Sequence, residues 1–114
     1  MMIQIFGTRK CKNTRKAERF FKERRIKSHF VDLREKAISH GELRSISNSI
    51  PMEDLIDTEG KEYEKCNLKY MKFDIAEELL NNPLLFKTPI VRFKGRATVG
   101  YQPETWKELL VELV

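Results

Sequence analysis

Residues 2–33 change hydrophobic period twice, from that of a strand to that of a helix and back, and this order limits the fold more than any single motif. Met2 to Phe6 is a short apolar run with β-branched and aromatic residues, closed by Gly7, and reads as a strand. A polar loop, Thr8 to Lys12, follows. Asn13 or Thr14 is placed to cap a helix on which Ala17, Phe20, Phe21 and the aliphatic stem of Arg24 share one face, ending near Arg25. His29 to Leu33 reads as a second strand. A strand-helix-strand unit within one sheet makes the two strands parallel and the crossover right-handed.

The middle of the chain reads as helical. Ser39-His40-Gly41-Glu42 has the spacing of a capping box, and Leu43, Ile46 and Ile50 continue one face until Pro51 stops it. Shorter helices are expected over about Lys61 to Cys66 and, capped by Asp74, about Ile75 to Asn81, before Asn82-Pro83 breaks the chain. Pro89 to Phe93, a Lys94-Gly95-Arg96 turn and Ala97 to Tyr101 read as a hairpin. Pro103 then opens a last helix with Trp106, Leu109, Leu110 and Leu113 on its buried face. Two sheet-forming halves thus flank a helical insertion at about 36–82, which predicts an α/β fold of three layers around a mixed four-stranded sheet. A thioredoxin-like (glutaredoxin-like) architecture fits this order.

With 114 residues, the chain is expected to form one domain, 1–114, whose core needs neither disulfides nor a structural metal. Cys11 and Cys66 lie far apart in sequence, and His29 and His40 sit near neither, so no metal site is expected. No apolar run approaches the ~20 residues that span a bilayer, and the N-terminus lacks a signal-peptide pattern. The expectation is a cytoplasmic protein without membrane contact, its cysteines free thiols.

The net charge of +5 is concentrated. Residues 9–27 hold ten bases and two acids, a segment charge of +8, leaving −3 for the remainder. Such a block reads as a solvated helix face, or as a surface for an acidic partner or a small anion. Direct nucleic-acid binding is not expected, because Phe20 and Phe21 fall on the apolar face and leave no exposed aromatics between the bases.

Cys11 stands immediately before the first helix, where unpaired N–H groups and the helix dipole favour a thiolate. Arg9, Lys10, Lys12, Arg15 and Lys16 surround it, and cationic neighbours also lower a thiol pKa. Thr14 adds a hydroxyl donor. The loop is not a P-loop, since Lys12 stands where Gly is required, and it is not a C-x5-R phosphatase cradle, since Ala17 stands where Arg is required. With Thr14 at the C-x-x-C resolving position, no local disulfide forms, and turnover needs an external thiol.

The segment Ile3 to Ala17 (I-x-I-F-G-T-x-K-C-x-x-T-R-K-A), the run Leu55-Ile56-Asp57-Thr58 with Tyr63, and N-P-L-L-x-K-T-P-I-V from Asn82 with V-G-Y-x-P-E from Val99 resemble the arsenate reductase family, which also contains the Spx-type regulators. The resemblance spans nearly the whole chain. It implies a thioredoxin-like fold with a helical insertion, Cys11 as nucleophile, and Thr14 and Arg15 as the matches to the family's C-x-x-[ST]-R. It also implies that Pro89 is the cis proline beside the active cysteine. Arsenate reductases of this type hold the oxyanion with arginines, and those positions read Asp57, Thr88 and Gln102 here, so arsenate reduction is not expected. Arg9, Arg15, Arg92, Lys94 and Arg96 are the nearby cations that could stand in.

The expected function is therefore thiol reduction or transfer by an oxidoreductase-type protein. Cys11, Thr14 and Arg15 are its catalytic residues, and Arg9, Lys12, Thr88 and Pro89 its substrate-binding residues. It binds no cofactor, glutathione serves as co-substrate, and a small thiol, a protein disulfide or a glutaredoxin serves as partner. The alternative implied by the resemblance is a non-enzymatic Spx-like regulator docking on RNA polymerase. Cys66, at the end of a helix beside Glu64, is expected to be a spectator. His29, His40, Trp106 and the phenylalanines are expected to be structural.

Overall fold

The computed structural model describes residues 3–93 and 95–111, and places β1 (Ile3–Gly7) inside a four-stranded sheet of order β2-β1-β3-β4. β2 (Ser28–Asp32) pairs with β1 in parallel, after the crossover helix α1 (Lys12–Glu23). β3 (Ile90–Phe93) pairs antiparallel with the other side of β1, and β4 (Arg96–Val99) completes a hairpin with β3. Between β2 and β3 lie α2 (His40–Ser47), α3 (Lys61–Lys65) and α4 (Ile75–Asn81), and after β4 comes α5 (Pro103–Val111). Met2, Lys94 and Leu113, assigned above to the first strand, the hairpin turn and the last helix, lie outside the described residues.

Alternation along the strands sorts the apolar residues onto two faces. Ile3, Ile5, Val91 and Phe93 pack with Ala17, Phe20 and Phe21 of α1 and Trp106 and Leu109 of α5. Phe6, Val31, Ile90 and Ala97 pack with Leu43, Ile46, Leu55 and Leu79 of the insertion and with Leu85 just after it. The result is the expected three-layer α/β fold. Trp106 is fully buried, ringed by Phe20, Phe21 and Tyr101 at centroid distances of 5.2–5.6 Å, and its indole N–H donates to Thr98 Oγ1 at 2.8 Å.

The capping box is present: Glu42 N–H donates to Ser39 Oγ at 3.2 Å, and Ser39 N–H to Glu42 Oε1 at 3.0 Å. Asp74 caps α4 through the amides of Ala76 and Glu77. Several boundaries differ from the sequence reading. Cys11, not Asn13 or Thr14, is the N-cap of α1, because its extended backbone (φ −77°, ψ 119°) lets its carbonyl accept the Arg15 N–H at 3.1 Å. The same helix ends at Glu23, since Arg25 turns left-handed at φ 57° and the amides of Arg25 and Ile26 fold back onto the carbonyls of Lys22 and Phe21. β2 lies one residue earlier than expected, the chain turning after Asp32, whose carbonyl accepts from Glu35 and Lys36. α2 stops at Ser47 rather than at Pro51, where the Ser47 hydroxyl donates to the Arg44 carbonyl. β4 stops at Val99 because Gly100, at φ 81°, leaves the ladder.

Candidate active site

The sulfur of Cys11 sits where β1 ends and its antiparallel neighbour β3 begins. β1 ends at Gly7, the Thr8 carbonyl accepts the Cys11 N–H at 3.1 Å, and α1 begins at the next residue. From β3's side, the Thr88-Pro89 peptide bond is cis, Pro89 is buried, and its carbonyl accepts the Gly100 N–H at 2.8 Å. The Thr88 hydroxyl donates to Cys11 Sγ at 3.0 Å, while the thiol faces the Thr88 carbonyl at 3.8 Å.

Partial burial pushes the Cys11 thiol pKa up, but donors to the sulfur outweigh it and hold the thiol below its ordinary value. Those donors are the Thr14 hydroxyl, the Thr88 hydroxyl and the backbone N–H groups of Thr14 and Asn13, in that order. The lowering is thus carried by hydrogen bonds rather than by the flanking cations, because those side chains reach into solvent or toward other partners.

Thr14 is fully buried, and its hydroxyl makes no hydrogen bond among the described residues. An unsatisfied buried hydroxyl is unusual. Here it is a donor that the Cys11 thiolate can accept from, which is how it lowers the thiol pKa. Gly7 makes room for it: a Cβ there would collide with the Thr14 hydroxyl, and would stand 2.6 Å from Thr14 Cγ2. The glycine closing the first strand therefore lets the first turn of α1 approach β1.

Arg15 and Lys12 are exposed on the first turns of α1, with no ionic partner among the described residues. Arg9 turns toward β2, its Nε 3.8 Å from Asp32 Oδ2 and its guanidinium 5.2 Å from the Phe30 ring centroid. The segment before Thr88 is bridged to the insertion, with Asp57 N–H donating to the Leu85 carbonyl at 2.8 Å and Lys87 N–H to the Leu55 carbonyl at 2.7 Å. This brings Asp57 beside the strand that delivers Thr88, but its carboxylate accepts from Glu59 N–H in its own turn. Gln102 donates to the Val99 carbonyl at 3.3 Å, and Arg92 to Gln4 Oε1 at 3.1 Å. No guanidinium stands at the three clamp positions.

Cys66 caps the end of α3, half-buried against the insertion core, and receives Asn82 Nδ2 at 3.7 Å. Both cysteines are free, and no group of three His, Cys, Asp or Glu among the described residues is arranged to hold a metal. Sequence reasoning placed Thr88 in the site but missed its role as a donor to the sulfur. The arrangement of helix amides and two threonine hydroxyls around one thiol suits a nucleophile that attacks sulfur.

The ArsC family profile matches residues 6–109 of the chain. The chain is 27% identical over 115 aligned residues to the global transcriptional regulator Spx 2 of Oceanobacillus iheyensis, covering 96% of this chain and 84% of that protein. Among solved structures, the arsenate reductase from Vibrio cholerae superposes with a TM-score of 0.80 at 21% identity, covering 95% of this chain and 97% of that one. An ArsC family related protein from Bacteroides fragilis gives 0.84 at 23% identity, covering 96% and 98%. These likenesses extend over the sheet, the insertion and the cysteine loop together.

Proposed function

The chain belongs to the ArsC family, and from that premise we propose that it carries out thiol-disulfide exchange through Cys11, with glutathione or a glutaredoxin closing the cycle. Membership supports a thiol-redox role in general, and the donor set around the sulfur supports the more specific reading. The Cys11 thiolate attacks one sulfur of a disulfide, that S–S bond breaks, and the second sulfur leaves as a thiolate that takes up a proton. The resulting mixed disulfide is attacked by an external thiol, which returns Cys11 as the leaving thiolate. Thr88 and Thr14 raise the fraction of Cys11 present as thiolate before the first half-reaction and make Cys11 a better leaving group in the second. Thr14 at the resolving position requires the second thiol to come from outside.

The observation that carries this reading is the 3.0 Å hydrogen bond from Thr88 to the Cys11 sulfur at the start of α1. Thr88 occupies one of the positions at which the resemblance expects an oxyanion arginine, and here that position serves the sulfur instead. Arsenate is accordingly not the proposed substrate, and the exchange belongs to a reducing cytoplasm. The test is the pH dependence of Cys11 alkylation in a Cys66→Ser background, joined to incubation with oxidised glutathione. An activated thiolate gives a midpoint below that of an ordinary thiol and a glutathione adduct lost in Cys11→Ser. An ordinary midpoint with no adduct overturns the reading.

The match to Spx 2 favours a second reading, a regulator that docks on RNA polymerase without turnover. It requires polymerase capture that survives Cys11→Ser, which the exchange reading does not.

A further inference from the structure

We propose that the exposed face of α1, with the groove between α1 and the start of α5, docks an acidic segment of the protein whose cysteine sulfur Cys11 attacks; the proposal rests on the exchange reading above. Lys12, Arg15, Lys16, Arg19 and Lys22 recur at intervals of three and four, all exposed, and form one stripe about 15 Å long that starts beside Cys11. None of them forms an ion pair among the described residues. Like charges at these spacings repel, and the first turn of α1 holds bases and no acid where the helix dipole favours acids. The stripe therefore weakens the helix in isolation and becomes favourable only opposite an anionic surface.

The groove beside the stripe has a volume of about 440 Å³ and an aromatic floor with cationic walls. Tyr101, 43% exposed, lies under the Lys16 ammonium at 5.4 Å, and the Arg24 guanidinium covers Phe20 at 3.7 Å. Glu23 and Glu104 also line it, which favours a segment with an apolar side chain between its carboxylates over an unbroken run of phosphates. The start of the stripe at a nucleophilic sulfur points the same way, since a nucleic acid offers no disulfide.

The test uses short peptides carrying one cysteine as its 2-pyridyl disulfide, flanked by glutamates, serines or lysines, and the protein in a Cys66→Ser background. Cys11 thiolate attacks the peptide sulfur, the bond to the pyridyl sulfur breaks, a Cys11-peptide disulfide forms, and pyridine-2-thione leaves with a proton and is read by absorbance. The acidic peptide is expected to react about tenfold faster than the serine peptide at low salt, with the advantage fading as salt rises. In Arg19→Glu/Lys22→Glu that advantage disappears, and in Arg19→Gln/Lys22→Gln it shrinks, while the rate with neutral hydroxyethyl disulfide stays unchanged. Equal rates for the three peptides, or an advantage that survives the reversal, overturn the proposal. If no disulfide reacts, the exchange reading fails, and docking is read by fluorescence anisotropy of the acidic peptide with serine in place of cysteine. Binding lost on charge reversal supports it, and no binding overturns it. Displacement of that peptide by a short DNA duplex at lower concentration than the free peptide requires also overturns it, in favour of nucleic acid.

Discussion

The Thr88 hydroxyl and the Cys11 sulfur meet at 3.0 Å although 77 residues of chain separate them. The antiparallel pairing of β1 with β3 brings them together and so makes this hydrogen bond. Because it favours the charged form of the thiol, Thr88→Val is expected to move the Cys11 alkylation midpoint up. A hydrogen bond to a charged group contributes about 1.5 kcal/mol at the lower end, roughly tenfold in thiolate fraction, of which the stronger nucleophilicity of a more basic thiolate returns about threefold, leaving exchange at neutral pH roughly threefold slower. Thr88→Ser keeps the donor and should retain most of the rate.

Gly7→Ala places a methyl group against the Thr14 side chain. Overpacking of this kind costs about 1–3 kcal/mol, and urea denaturation should show it as a lower midpoint with an unchanged slope. Thr14→Ala in the same chain should recover much of that loss, and the double-mutant cycle gives the coupling. The rescue should not extend to the thiol, since Thr14→Ala removes a hydroxyl that lowers its pKa.

Trp106 is buried among aromatic rings with its indole N–H on Thr98. Trp106→Ala is expected to lose about 3–5 kcal/mol, and Thr98→Val, which leaves the N–H without its acceptor, about 1–3 kcal/mol. As Trp106 is the single tryptophan, its fluorescence follows unfolding directly in the Thr98→Val comparison.

Arg25 ends α1 in the left-handed region at φ 57°, a conformation open to glycine without steric cost. Arg25→Gly should therefore stabilise the fold by about 0.5–1 kcal/mol, read as a rise in thermal midpoint. Arg25→Ala, which keeps a Cβ, should not.

The parts legible in the sequence are those whose signal is local. The opening strand-helix-strand unit, the Ser39 capping box, the Asp74 cap and the position of Cys11 before a helix all follow from neighbours a few residues apart. The N-cap of α1 was misread because side-chain preference points to Asn13 or Thr14, whereas the backbone of Cys11 supplies the cap and Thr14 is turned inward by the space over Gly7. The turns at Met52–Asp54 and Leu68–Tyr70 are too short to show a period. Arg9 reads as part of the field around Cys11, but a side chain that long goes where Asp32 and Phe30 attract it. The Thr88 hydrogen bond is non-local, and only the sheet order brings its two partners together.

That order sets a hierarchy of motion. The loop holding Cys11 leaves β1 and the peptide holding Thr88 enters β3, and these are the two strands with a neighbour on either side, while β2 and β4 form the edges. Central strands are the last to release their amides to exchange with solvent, and peripheral elements open first. The insertion can therefore loosen, repack or drift in sequence while the nucleophile and its donor stay in register, so reactivity at Cys11 should outlast the melting of α2 to α4 and vanish only when the sheet itself comes apart.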